Sequence, residues 1–174
     1  MRVVAGEFKG RRLHAPRGAR TRPTADRVRE ALFSMLGDVS GARVLDLYAG
    51  SGALGIEALS RGAESAVFVE RDQQALAALR RNLDAVGADA EVRRQDVARF
   101  LAQPEGKFDL VFCDPPYDVA PRIAGRLAES LPALLEESAR IVTESDKRNP
   151  LVLQLPLVVE RSYGDTRIAI HSAP

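Results

Sequence analysis

The sequence predicts an α/β fold on a mostly parallel sheet whose last strands turn antiparallel. Three observations predict it. From residue 42 onward, short apolar runs alternate with segments of helical period. One such run leads straight into a glycine loop, Gly50-Ser51-Gly52-Ala53-Leu54-Gly55, as a strand-to-helix turn does. The last two apolar runs flank Gly164-Asp165, a hairpin signal that implies an antiparallel edge.

Residues 2–6 and 8–13 are short extended candidates separated by glycine, a candidate hairpin. Residues 15–23 are turn-rich. Thr24 reads as an N-cap, with Asp26 in the first turn favouring the helix dipole. Val28, Ala31, Leu32, Met35 and Leu36 then follow one helix face, and Gly37 is the stop. Strands are expected at 43–48, 65–70, 90–93, 108–113 and 139–143. Helices between them are expected at 53–61, at 73–86 with Asp72 as cap and Gly87 as stop, at 97–102 and at 121–134. Residues 157–163 and 166–171 form the closing hairpin, and 151–155 fit no element.

The chain has 174 residues, enough for one domain with an appendage, and its 45% hydrophobic and 28% charged content is that of a globular protein. A single cysteine, Cys113, excludes an internal disulfide, and no apolar run approaches a membrane span, so a cytoplasmic protein is expected. His14 and His171 have no partners at ligand spacing, and no metal site is expected. The net charge of +1 hides an asymmetry: residues 1–30 carry nine basic and three acidic residues, and the remainder is net acidic. A basic arm on a mildly acidic body suits a nucleic-acid partner. Residues 1–23 are therefore read as an RNA-binding arm and 24–174 as the α/β domain. Deleting residues 1–20 is expected to spare the ligand of the glycine loop.

Asp46 to Gly55 is a strand, a tight glycine turn and a helix start, a layout that cradles a ligand. The glycine pattern alone suits a dinucleotide or S-adenosylmethionine, and Glu70 at the end of strand two can bind ribose hydroxyls in either. Asp46 inside the strand tips the balance: it would repel a pyrophosphate but can face an ammonium or sulfonium. Asp96 can accept from an adenine amine, cap the following helix, or do both. Asp114-Pro115-Pro116-Tyr117 follows the fourth strand of the alternation, at the carboxyl end of the sheet. An exocyclic base amine is a weak nucleophile, and it needs acceptors for its N–H groups. Asp114 offers a carboxylate, the Pro115-Pro116 backbone a carbonyl, and Tyr117 a ring on which an extruded base can stack. Adenine N6 and guanine N2 both satisfy this chemistry, and a nucleotide-binding or NAD-dependent module is the alternative from another class.

On further motifs the chain resembles the RsmD-type family of 16S rRNA guanine-N2 methyltransferases. They are Arg2-Val3-Val4-Ala5-Gly6, Lys9-Gly10-Arg11-Arg12-Leu13, Arg22-Pro23-Thr24, residues 26–33, Val69-Glu70 and Tyr163-Gly164-Asp165-Thr166, with the loop and DPPY. The resemblance implies a Rossmann-like class I methyltransferase with a seven-stranded sheet whose last strand is antiparallel. It implies S-adenosylmethionine as cofactor, and as target one guanine of small-subunit rRNA within an assembled or assembling 30S subunit. No membrane partner is implied, and a monomer is expected. It assigns the methionine part to Asp46, Tyr48, Gly50, Ser51 and Gly52, the ribose to Glu70 beside Arg71, and the adenine to Asp96, with Thr24 near the pocket. Asp114, Pro115, Pro116 and Tyr117 are the catalytic expectation, and Arg2, Lys9, Arg11, Arg12, Arg20, Arg22 and Arg27 the RNA contacts. The polar stretch 145–150 departs from the family pattern.

Overall fold

The computed structural model describes residues 1–16, 26–103, 105–116 and 119–174. Its elements are α1 (Asp26–Leu36), β1 (Arg43–Leu47), α2 (Ala53–Ser60), β2 (Ser65–Glu70), α3 (Gln73–Val86), β3 (Glu91–Arg94), α4 (Val97–Ala102), β4 (Phe108–Cys113), α5 (Ala120–Leu134), β5 (Leu135–Asp146), β6 (Leu157–Tyr163) and β7 (Thr166–Ser172). The seven strands form one sheet in the order β3-β2-β1-β4-β5-β7-β6. The pairings among β1 to β5 are parallel, and β7 is antiparallel to both β5 and β6.

Strand alternation sends successive side chains to opposite faces, and each face meets its own helices. Val44, Phe68, Leu110 and Phe112 pack with Leu32, Phe33 and Leu36 of α1, Ile56 of α2, and Leu79, Leu83 and Val86 of α3. Leu45, Leu47, Val69, Val111 and Ile141 pack with Phe100 and Leu101 of α4 and with Leu127, Leu131 and Leu134 of α5. Residues 151–155, for which the sequence offered no element, add buried Leu151 and Leu153 to the second face.

The closing hairpin forms with its last strand antiparallel, as expected, and β7 lies beside β5 with β6 at the edge, while two other expectations shift. Burial explains the order: Ile168, Ala169 and Ile170 of β7 are fully buried, whereas Leu157 and Val158 of β6 are exposed. β5 runs from Leu135 to Asp146 rather than over 139–143. Its polar start was illegible as strand because the register slips there, with Leu135 opposite Phe108 but Arg140 opposite Leu110. Glu136 in the slip forms an ion pair with Arg43 at 2.6 Å. Lastly, α1 buries Arg29, Leu32, Phe33 and Leu36, so its inward stripe is centred on a charged residue.

Arg29 is fully buried between Asp26, at 2.9 Å, and Glu57 of α2, at 3.5 Å. It was counted with the basic arm, but it is an internal ion and adds nothing to a surface charge. Glu57 is equally buried and accepts the amides of Val4 (2.8 Å) and Ala5 (3.0 Å) and the Arg61 guanidinium (2.9 Å). Residues 1–13 form a closed loop bridged at Arg2 and Arg12, which falls short of a two-stranded ribbon. Ser60 fastens it further, accepting at its hydroxyl from the Phe8 amide (2.9 Å) and at its carbonyl from the Glu7 amide (2.7 Å). A Cβ on Gly6 would stand 1.7 Å from the Ser60 carbonyl oxygen, so glycine is required there. Val3 and Leu13 enter the first core face. No helix among the described residues is long and apolar enough to cross a membrane.

Candidate active site

Parallel strands deliver their carboxyl ends to one edge of the sheet, where open α/β folds hold ligands. The loop after β1 is tight: Gly50 and Gly52 adopt φ of 57° and 77°, and the Gly52 amide donates to the Ala49 carbonyl at 2.7 Å. A Cβ on Gly52 would meet Leu79 at 2.3 Å. Tyr48 enters the loop at φ 60°, an uncommon conformation for a bulky residue. Burial pushes its phenol up, so it stays neutral. Ser51 is buried, and its carbonyl accepts from Asn82 of α3 at 2.9 Å.

Carboxylates organise the edge. Asp46 is buried and accepts the Gly55 amide at the start of α2, at 3.0 Å. Burial pushes its pKa up to about 8, and the nearby Glu70 charge adds to this, while the Gly55 N–H opposes it. Glu70 takes the Gly50 amide on one oxygen (2.9 Å) and the Arg71 and Asp72 amides on the other (2.8 and 2.7 Å), so it clasps the glycine loop to β2. Asp96 caps α4 through the Ala98 amide (2.8 Å) and pairs with exposed Arg71 at 2.9 Å.

Asp114 follows β4, and burial raises its pKa well above the usual carboxylate range, with further contributions from Glu144 and Asp46. Glu144 of β5 follows Thr143, the partner of Cys113. The Pro116 carbonyl is taken by the Val119 and Ala120 amides at 2.8 and 3.1 Å, where α5 begins. That leaves the Pro115 carbonyl as the one of the two without such a commitment among the described residues. Cys113 is buried with its thiol pushed up by desolvation, and so is unsuited to be a nucleophile.

This edge therefore gathers Asp46, Glu70, Asp96, Asp114 and Glu144. A cationic ligand relieves their repulsion and the cost of ionising Asp46. The donor set thus fits S-adenosylmethionine, with its sulfonium and ammonium groups. Among the described residues no acidic, histidine or cysteine cluster could hold a metal ion. The expectations at Thr24, Arg20, Arg22 and Tyr117 lie outside the described residues. Arg2, Lys9, Arg11, Arg12 and Arg27 are exposed. Arg2 lies 3.7 Å from Asp26, and Arg11 donates to the Ala85 carbonyl at 2.9 Å. Glu57, Asn82 and Glu144 were missed. The first two left a signal, a polar residue on the apolar face of a helix: Asn82 stands three residues after Leu79 and four before Val86.

The family model described as Conserved hypothetical protein 95 matches residues 1–172. Ribosomal RNA small subunit methyltransferase D of Escherichia coli strain K12 is 40% identical over 158 residues, covering 87% of this chain and 77% of its own length. The chain belongs to the RsmD family of methyltransferases. Hypothetical protein TTHA0928 of Thermus thermophilus superposes with a TM-score of 0.82 at 35% identity, covering 99% of both chains. The 16S rRNA N2 G1207 methyltransferase RsmC of Thermus thermophilus, solved with S-adenosylmethionine and guanosine, superposes with a TM-score of 0.72 at 25% identity, covering 91% of this chain and 45% of that one. The family's fold is the Rossmann-like sheet of S-adenosylmethionine-dependent methyltransferases, and S-adenosylmethionine is the methyl donor.

Proposed function

We propose that this RsmD-family chain methylates the exocyclic N2 of a guanine in small-subunit ribosomal RNA. The observation that carries the proposal is Asp114 at the end of β4, its carboxyl raised by burial beside Asp46, next to the glycine loop. The E. coli relative is named for small-subunit rRNA, and RsmC is named as an N2 G1207 methyltransferase in complex with S-adenosylmethionine and guanosine, which supports guanine N2 over adenine N6.

The donor supplies an electrophilic methyl group on a sulfonium. The chain's own residues do the rest. Asp46, Tyr48 and Gly50 to Gly52 line the methionine end. Glu70 and Asp96 serve the ribose and adenine, Arg71 pairs with Asp96, and Thr24 is a further donor-binding residue. Asp114 accepts one N–H of the target amine and the Pro115 carbonyl the other, turning the nitrogen lone pair out of the ring. When the amine has lost its proton, Asp114 is the group to hold it, since burial favours its neutral form. Tyr117 stacks on the extruded base.

Residues 1–23 are the RNA-binding arm of the methyltransferase domain 24–174, and Arg2, Lys9, Arg11, Arg12, Arg20, Arg22 and Arg27 contact RNA phosphates. The protein works in the cytoplasm as a monomer, on the assembled or assembling 30S subunit. Small subunits from a strain lacking the gene should accept a labelled methyl group from the purified protein, and mapping should find it on guanine N2. Label on an adenine, or no transfer, would refute the proposal.

A further inference from the structure

Asn82 is fully buried, and among the described residues its side chain bonds to main-chain groups. Its Oδ1 accepts the His14 amide at 2.7 Å, and its Nδ2 donates to the His14 carbonyl at 3.0 Å and to the Ser51 carbonyl at 2.9 Å. The orientation is determined by these partners. A flipped amide would set Oδ1 against two carbonyl oxygens and Nδ2 against an N–H. One amide thus joins two segments far apart in sequence, the end of the N-terminal loop and the middle of the glycine loop. The same N-terminal loop is fastened through Glu57 and Ser60 to α2, the helix that the glycine loop begins. Residues 1–14 therefore hold the loop at its middle through Asn82 and brace the helix that follows it.

We propose that Asn82 is a positioning residue that ties the N-terminal arm to the donor loop, so that donor binding and arm order are linked. This rests on reading Gly50 to Gly52 as the donor loop. The shape of that loop depends on Ser51, whose carbonyl would otherwise be buried without a partner on this side. Ordering the loop around the donor strengthens the Ser51 bond and, through the same amide, both bonds to His14. Conversely, an arm pressed onto RNA stiffens the donor loop. The arm is then part of the donor site as well as a grip on RNA, and deleting residues 1–20 would not spare donor binding.

Two measurements test this. First, S-adenosylhomocysteine should slow amide exchange in residues 49–55 of the wild-type protein and also in residues 1–14. Protection of 49–55 alone would overturn the proposal and leave the donor-loop reading intact. Absence of protection at 49–55 would overturn both. Second, Asn82→Asp keeps the acceptor for the His14 amide but loses both donations. It should raise KM for the donor by about tenfold, the worth of one such bond, with kcat little changed. Exchange protection should no longer reach residues 1–14. A residue that only holds the fold together would lower Tm and leave KM of the folded enzyme unchanged, which would overturn the proposal. Where Asn82→Asp does not fold, the wild-type exchange experiment decides alone.

Discussion

Binding of S-adenosylmethionine should expel a proton from Asp46. In the donor-free protein burial pushes this carboxyl up to about 8. At pH 7 such a group is roughly 90% protonated. A cation placed beside it favours the charged form and returns it toward the ordinary range near 4. Donor binding at pH 7 should therefore release about 0.9 proton, falling to about 0.1 at pH 9. Apparent affinity should rise by up to about tenfold per pH unit between pH 6 and 8, then level off.

Stability follows the opposite sign. A carboxyl raised in the folded state stabilises the fold below its unfolded value near 4, and that contribution is lost as pH rises toward 8. The donor-free protein should lose up to about 1.4 kcal/mol per pH unit across this window relative to Asp46→Asn. That variant keeps an oxygen for the Gly55 amide, 3.0 Å away in the wild type, but carries no charge. It should bind the donor without the proton that Asp46 releases, and at pH 8.5 about 1.5–3 kcal/mol more weakly. Calorimetry at pH 7 in two buffers of different ionisation enthalpy reads the proton directly. Subtracting the Asp46→Asn result removes the parallel titration of Asp114. Equal heats in both buffers for the wild type would mean that Asp46 is already ionised, and the burial reasoning would be wrong.

Asp114→Ala should abolish methyl transfer while leaving S-adenosylhomocysteine affinity by calorimetry within about twofold, because Asp114 is assigned to the acceptor; near-normal turnover would remove that assignment. Glu57→Ala takes away the buried countercharge of Arg29 and the acceptor of two arm amides, and should cost about 3–5 kcal/mol in chemical denaturation. Replacing exposed Lys9 and Arg12 by alanine should shallow the slope of log RNA affinity against log salt by about 0.7–0.9 per residue. Unchanged slopes would make the arm's exposed charges irrelevant to RNA.

Much of this protein was determined by local sequence. Strands β4 and β6 and helix α4 have the bounds that their apolar runs and flanking punctuation indicate. Asp72 and Gly87 begin and end α3, since a side-chain oxygen at an N-cap and a left-handed glycine act within a few residues of themselves. The glycine loop, Asp46, Glu70 and Asp114 were legible for the same reason: each lies in, ends or directly follows a strand, and a parallel sheet carries all its carboxyl ends to one edge. The order of β7 and β6 was decided only in three dimensions, by which strand had apolar side chains for both faces. So was the length of β5, where a slipped register lets polar residues join a strand. Arg29 reads as one more surface cation until α2 brings Glu57 to it, and Asn82 reads as a helix polar residue until His14 and Ser51 meet on it. Charge and amide pairing across 28 to 68 residues leave no periodicity in sequence. They depend on which backbones the packed layers bring within hydrogen-bond reach, and that is a property of the tertiary fold.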